Sequence, residues 1–242
     1  MSSMQTVDQQ IALITTSNQI YQDNQPAWKY LLESYLGGAD YRQAGHLTRY
    51  QLETDGEYAA RLRSTPLENH CKSVISVYNS FLFREEPKRE YGSIEYVAEL
   101  QDYLADADLD GRSLDNFMKD VATWASVFGH TWVLMTKPNI GAVTRADEVQ
   151  QNVRPYVNLL TPLAVLDWSW TRSTNGAYTL SYFKYVEDTN GEITTIKEWT
   201  PEDITTYVID EKKQDIREEI VEINGLGKIP AIIAYNSRSI VR

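Results

Sequence analysis

One stretch, residues 113–136 (SLDNFMKDVATWASVFGHTWVLMT), constrains the fold of this chain more than any other. Leu114, Phe117, Met118, Val121, Trp124, Ala125 and Phe128 recur at three-four spacing and mark one apolar face of a helix. Gly129 stands where that helix must end, because glycine enters the left-handed conformation without a Cβ penalty. Thr131, Trp132, Val133, Leu134 and Met135 follow at once, and so continuous an apolar run predicts a buried strand. Helix, glycine and strand follow one another with no linker, so they form a joint. Trp124, Phe128, Gly129 and Trp132 are its candidate hinge residues.

Ahead of the joint the patterns are helical. Residues 7–21 carry Val7, Ile11, Ile14 and Tyr21 on one face, and residues 24–36 carry Trp28, Leu31, Leu32 and Tyr35, with Pro26 in the first turn and Gly37-Gly38 as the stop. Residues 39–53 show no period and predict a loop. Thr54-Asp55-Gly56-Glu57 is a capping box, in which hydroxyl and carboxylate each satisfy a free amide of a first helical turn. Thr65-Pro66-Leu67-Glu68 is a second box. It opens a long helix whose buried face is predicted as Leu67, Cys71, Val74, Ile75, Tyr78, Phe81 and Leu82, and which ends before Pro87. Ser93 is placed as the cap of a further helix to about Leu104, and Asp106 to Gly111 as an acidic turn.

Behind the joint the patterns are strands. A polar excursion, residues 138–155, holds one helical turn around 144–150. Residues 156–160 and 165–168 read as strands split by Thr161-Pro162. Residues 178–186 and 193–199 form a hairpin across Asn190-Gly191, and 204–209 pairs with 216–223 across a charged turn. Residues 229–235 form the last strand, with Pro230 at its start, where proline is tolerated. Helices first and an antiparallel meander second predict an α+β fold. Residues 1–137 form a mainly helical region ending in the central strand, and residues 138–242 a β-rich subdomain.

The formal net charge of −11 argues against a protein that grips nucleic acid by neutralising phosphates. It leaves room for one that lets DNA pass without holding it. No apolar run reaches the roughly 20 residues of a bilayer span, and the N-terminus lacks the basic-then-apolar order of a secretory signal. A single cysteine, Cys71, excludes an internal disulfide. His46, His70 and His130 are the only histidines, and no second Cys/His pair joins His70-Cys71 to complete a zinc site. No nucleophile sits in a G-x-S-x-G elbow. Gly225-Leu226-Gly227-Lys228 lacks Walker spacing and reads as a hairpin turn. Asp106, Asp108 and Asp110 lack the calcium-loop register and read as a solvated connection. Tyr178, Tyr182, Phe183, Tyr185 and Trp199 have no Lys/Arg cluster beside them and read as packing residues. No cofactor, no metal site and no catalytic residue is assigned.

Three stretches together carry a family resemblance. Residues 50–87 (YQLETDGEYAARLRSTPLENHCKSVISVYNSFLFREEP) resemble an acidic "E-x-x-Y" helix, a helix with Asn and a long helix closing on a basic residue and proline. Residues 117–136 run a helix through an aliphatic-small-Gly turn into an apolar strand. Arg154-Pro155-Tyr156-Val157 through Trp168 is similar to an "RPY" strand, a Pro-containing turn and a tryptophan strand. Their order and spacing resemble the N-terminal half of a tailed-bacteriophage portal protein.

The resemblance implies a wing of outer helices with a β-rich subdomain, in a homo-oligomeric ring of about twelve copies at the capsid vertex. It implies a structural virion protein and not an enzyme, assembled in the host cytoplasm. Its partners would be other copies of itself, the major capsid protein, the terminase large subunit, a head-tail adaptor and double-stranded DNA in transit, with no membrane. The family's stem, clip and crown have no counterpart among these residues, so the expectation is a portal wing half. Two other classes compete with it: a virion connector that binds partners without closing a ring, and an acidic α+β hydrolase using paired carboxylates.

Overall fold

The structure is a computed structural model, described for residues 6–65, 69–138, 144–151, 153–174 and 176–237. It is α+β, with helices in the N-terminal half and antiparallel strands in the C-terminal half. The helices are α1 (Val7–Thr15), α2 (Gln19–Leu36), α3 (Gly38–Gln43), α4 (Asp55–Ser64), α5 (His70–Leu82), α6 (Ala98–Ala105), α7 (Leu114–Phe128) and α8 (Arg145–Gln150). The strands are β1 (His130–Thr136), β2 (Tyr156–Leu160), β3 (Val165–Arg172), β4 (Tyr178–Asn190), β5 (Ile193–Trp199), β6 (Asp203–Asp210), β7 (Asp215–Ile223) and β8 (Ala231–Tyr235). They form a three-stranded sheet, β2-β1-β8, and a five-stranded meander, β3 to β7 in order.

The chain divides into two compact units, each made of non-contiguous segments: Met1–Gln25 with Thr131–Ile233, and Pro26–His130 with Ala234–Arg242. The first is β-rich. Trp132 and Leu134 of β1, Leu160 of β2 and Ala231 of β8 pack with Leu180, Phe183, Tyr185 and Trp199 of the meander into one apolar core. The other face of the meander is crossed by α1, whose Ile11 and Ile14 are buried. The start of α2 belongs to this unit as well. The Asn18 N–H donates to the Leu166 carbonyl at 3.0 Å, and the Tyr21 hydroxyl to the Leu163 carbonyl at 3.0 Å.

The second unit is helical. Phe117, Val121, Ala125 and Phe128 of α7 are buried, with Trp28 of α2. Trp124 stacks on Phe128 and meets Tyr35 edge-on, at centroid distances of 5.9 and 5.7 Å. Arg61 of α4 grips Glu53 with two hydrogen bonds, and Arg89 pairs with Asp115 at the start of α7.

Several elements depart from the expectations. The first helix does not run to residue 21. It ends at Thr15, and α2 starts anew where the Asn18 side chain accepts the Tyr21 N–H at 2.7 Å. Pro26 therefore lies inside α2, at the boundary between the two units. The predicted loop after Gly37 contains α3. Ser93 sits in a 3-10 turn instead of capping a helix, and α6 begins at Ala98. The second capping box falls on residues 66–68, outside the described residues, and α5 is capped instead by Asn69, whose side chain accepts the Lys72 N–H at 3.1 Å. Strand β1 is buried as predicted at Thr131, Trp132 and Leu134, but Met135 is exposed. The Gly225–Lys228 turn is not a hairpin, because β7 and β8 lie in different sheets. Asn224 organises it, donating to the Thr200 and Lys228 carbonyls and accepting the Leu226 N–H.

Candidate functional site: an apolar helix face and a buried polar cluster

The joint between α7 and β1 forms as its residue order dictates. Ser113 caps α7 by accepting the Asn116 N–H, and Gly129 closes it in the left-handed region at φ 86°. Its carbonyl accepts the Asn236 N–H at 3.0 Å, while Asn236 also receives the Ser126 hydroxyl at 3.1 Å. Of the four hinge candidates, the structure brings Trp124 and Phe128 together beside Tyr35 and sets Gly129 directly after them. Trp132 belongs to the β-rich unit. It is 1% exposed in the core of the β-rich unit, 5.0 Å from the ring of Phe183 and 5.7 Å from that of Trp168.

Helix α5 overturns the expected burial of its apolar stripe. Ile75 is half-buried, but Val74, Val77, Tyr78, Phe81 and Leu82 are 66, 56, 57, 71 and 56% exposed, and Cys71 is exposed with them. The helix is held by its polar side. Asn79 donates to Thr123 Oγ1 of α7 at 2.7 Å, and Asn69 donates to the Tyr35 carbonyl at 2.6 Å. The stripe has the three-four period of a helix face, but a period does not say which neighbour covers it.

The polar cluster lies in the β-rich unit, between α1 and the meander, around a cavity of about 300 Å³. Lys184 and Glu198 face each other across β4 and β5, with Nζ 3.8 Å from Oε1. The same lysine, 3% exposed, donates to the Leu13 carbonyl in the last turn of α1 at 3.3 Å. Tyr182 donates to Glu198 at 2.9 Å, while Tyr207, Glu219, Gln10, Ile14 and Ile216 complete the lining. Burial pushes the Lys184 ammonium below its ordinary range. Burial and the Glu198 charge push the Tyr182 phenol up, and Tyr207 up to about 12. The arrangement clamps α1 onto the sheet. Sequence reading missed it, although β4 carries the signal: Tyr182 and Lys184 alternate with Phe183 and Tyr185, so one face is polar and the other is core.

The remaining candidates resolve into local structure. His46 pairs with Glu33 and lies between the rings of Tyr30 and Tyr41. His130 is half-buried, edge-on to Trp28 at 5.7 Å, and burial lowers its pKa. Asp108 is buried, not solvated. Burial would raise its carboxyl, but the Asp110 amide and the Arg112 guanidinium outweigh that and hold it low. The Lys213 amide and Arg217 do the same for Asp210. Glu53, Asp108 and Asp210 each face an arginine, and none lines the cavity. Among the described residues no group of three His, Cys, Asp or Glu is placed to hold a metal, and no helix is long and apolar enough to cross a membrane.

No protein-family model matches the chain, and no curated protein matches it significantly.

Proposed function

We propose that this chain is a structural subunit of a tailed-phage portal ring, contributing the wing of the conduit through which the genome is packaged and ejected. The observation that carries the reading is the helix–glycine–strand joint of residues 117–136, which folds as α7, a left-handed Gly129 and β1. The flanking stretches that carry the resemblance fold as α4 and α5 before it and as β2 and β3 after it. The net charge of −11 fits a wall that phosphate does not adhere to. On this reading the chain does no chemistry of its own. It would meet the capsid protein, the terminase and a head-tail adaptor, in the virion vertex.

The test is the oligomeric state of the purified chain. Electron microscopy and native mass measurement are expected to find closed rings of a single copy number, built from heterologous contacts. A chain that remains monomeric up to high concentration overturns the reading. A chain that stays monomeric yet binds a virion protein favours the connector.

A further inference from the structure

We propose that the exposed apolar face of α5 is the surface on which a second copy of this chain docks. The inference rests on the ring reading and names the face through which subunits meet.

The amphipathic pattern of α5 is turned inside out. Asn79 and Asn69 tie its polar side to Thr123 and to the Tyr35 carbonyl, and Val74, Val77, Tyr78 and Phe81 point away from the unit's core. Those residues recur at three-four spacing, so they form one continuous stripe along the helix. Tyr78 and Phe81 alone leave about 250 Å² of aromatic surface in water. With Val74, Val77 and Leu82 added, the stripe supplies a large part of the ~800 Å² that each partner contributes to a standard interface.

Charge selects the occupant. Two copies of a chain with net charge −11 repel one another, and a face without carboxylates is where that repulsion is least. Between Asn69 and Arg84 there is no Asp or Glu, and the stripe is flanked by the neutral Ser73, Ser76 and Ser80. One lysine, Lys72, cannot recruit DNA, and the helix lacks the basic polar face of a membrane-surface helix. A neutral apolar stripe on an acidic chain fits a partner that is equally acidic elsewhere, and a second copy is such a partner.

Cys71, the only cysteine, sits two turns before Tyr78 on the same side and is a built-in reporter. The experiment measures the mass of the full chain at tens of micromolar for wild type, Phe81→Asp, Val77→Asp and Phe81→Leu. Maleimide labelling of Cys71 is followed in parallel against wild-type concentration. The expected result is an oligomer for wild type and Phe81→Leu, monomers for both Asp variants with unchanged circular dichroism, and Cys71 labelling slowed at least tenfold as wild type assembles. An assembled wild type whose Asp variants still assemble, or whose Cys71 labels as fast as in the monomer, overturns this inference and leaves the ring reading standing. A wild type that never assembles overturns the ring reading itself. If the Asp variants misfold, the Cys71 labelling of wild type decides alone.

Discussion

Arg61 holds Glu53 in a fork, with Nε donating to one carboxylate oxygen and Nη2 to the other, both at 2.7 Å. The same guanidinium lies over the ring of Tyr50 at 4.4 Å and donates to the Thr48 carbonyl. One side chain of α4 thus fastens the segment between α3 and α4, which has no helical period of its own.

This pairing predicts acid sensitivity. The Arg61 hydrogen bonds hold the Glu53 carboxyl at about 2, against an ordinary value of 4.5. A depressed carboxyl pKa contributes stability that is complete above the unfolded value and is lost as pH falls. The helical unit should therefore weaken between about pH 4.5 and 2, and Glu53→Gln should flatten that dependence. Thermal melts across the window, with and without the substitution, check it.

Gly129 predicts a backbone effect without a steric one. A Cβ there meets nothing within 4 Å, but φ is 86°. Gly129→Ala should cost about 1–2 kcal/mol, the left-handed penalty of an L-residue. Gly129→Asn should cost less, and the β-branched Gly129→Val more. Denaturant unfolding of the three variants orders them. Equal stability would mean that the joint relaxes out of the left-handed region.

Asn69 is predicted to matter twice over. Its carbonyl oxygen caps α5 and its amide donates to Tyr35. Asn69→Ala should destabilise by about 1–2 kcal/mol, while Asn69→Asp, which keeps the cap and loses the donor, should recover part of that. Chemical denaturation of the pair separates the two roles.

The polar cluster predicts alkaline behaviour. Burial, then the charge of Glu198, pushes the Tyr207 phenol up to about 12 from 10. A raised pKa contributes stability that is full below the unfolded value, so it should drain away as pH rises from 10 to 12. Lys184, whose pKa burial lowers, acts in the opposite sense at alkaline pH. The comparison that isolates the phenol is therefore Tyr207→Phe against wild type, both with Lys184 intact. A smaller alkaline loss of stability in the variant is the expected outcome, read by tryptophan fluorescence.

The sequence by itself determined the local elements, because their causes are local. The Thr54–Glu57 box caps α4 as its side chains demand, Gly129 stops α7, and the alternation and turn residues of residues 178–223 specify the meander. The break at Asn18 and the false cap at Ser93 show the limit of the same reasoning. An Asn side chain competing for a backbone amide ends or restarts a helix without disturbing its apolar period. Only the tertiary structure decided what each apolar face meets. Trp132 and Phe81 look alike in sequence, each a large ring on a periodic face, yet one is 1% exposed and the other 71%. Strand β1 lies between β2 and β8, so Trp132 is covered by residues distant in the chain. The polar anchors Asn79 and Asn69 turn the stripe of α5 outward instead. The Lys184–Glu198 pair is set by the register of the β4–β5 hairpin, which shifts between Val186 and Asp188 and so cannot be counted outward from the Asn190-Gly191 turn.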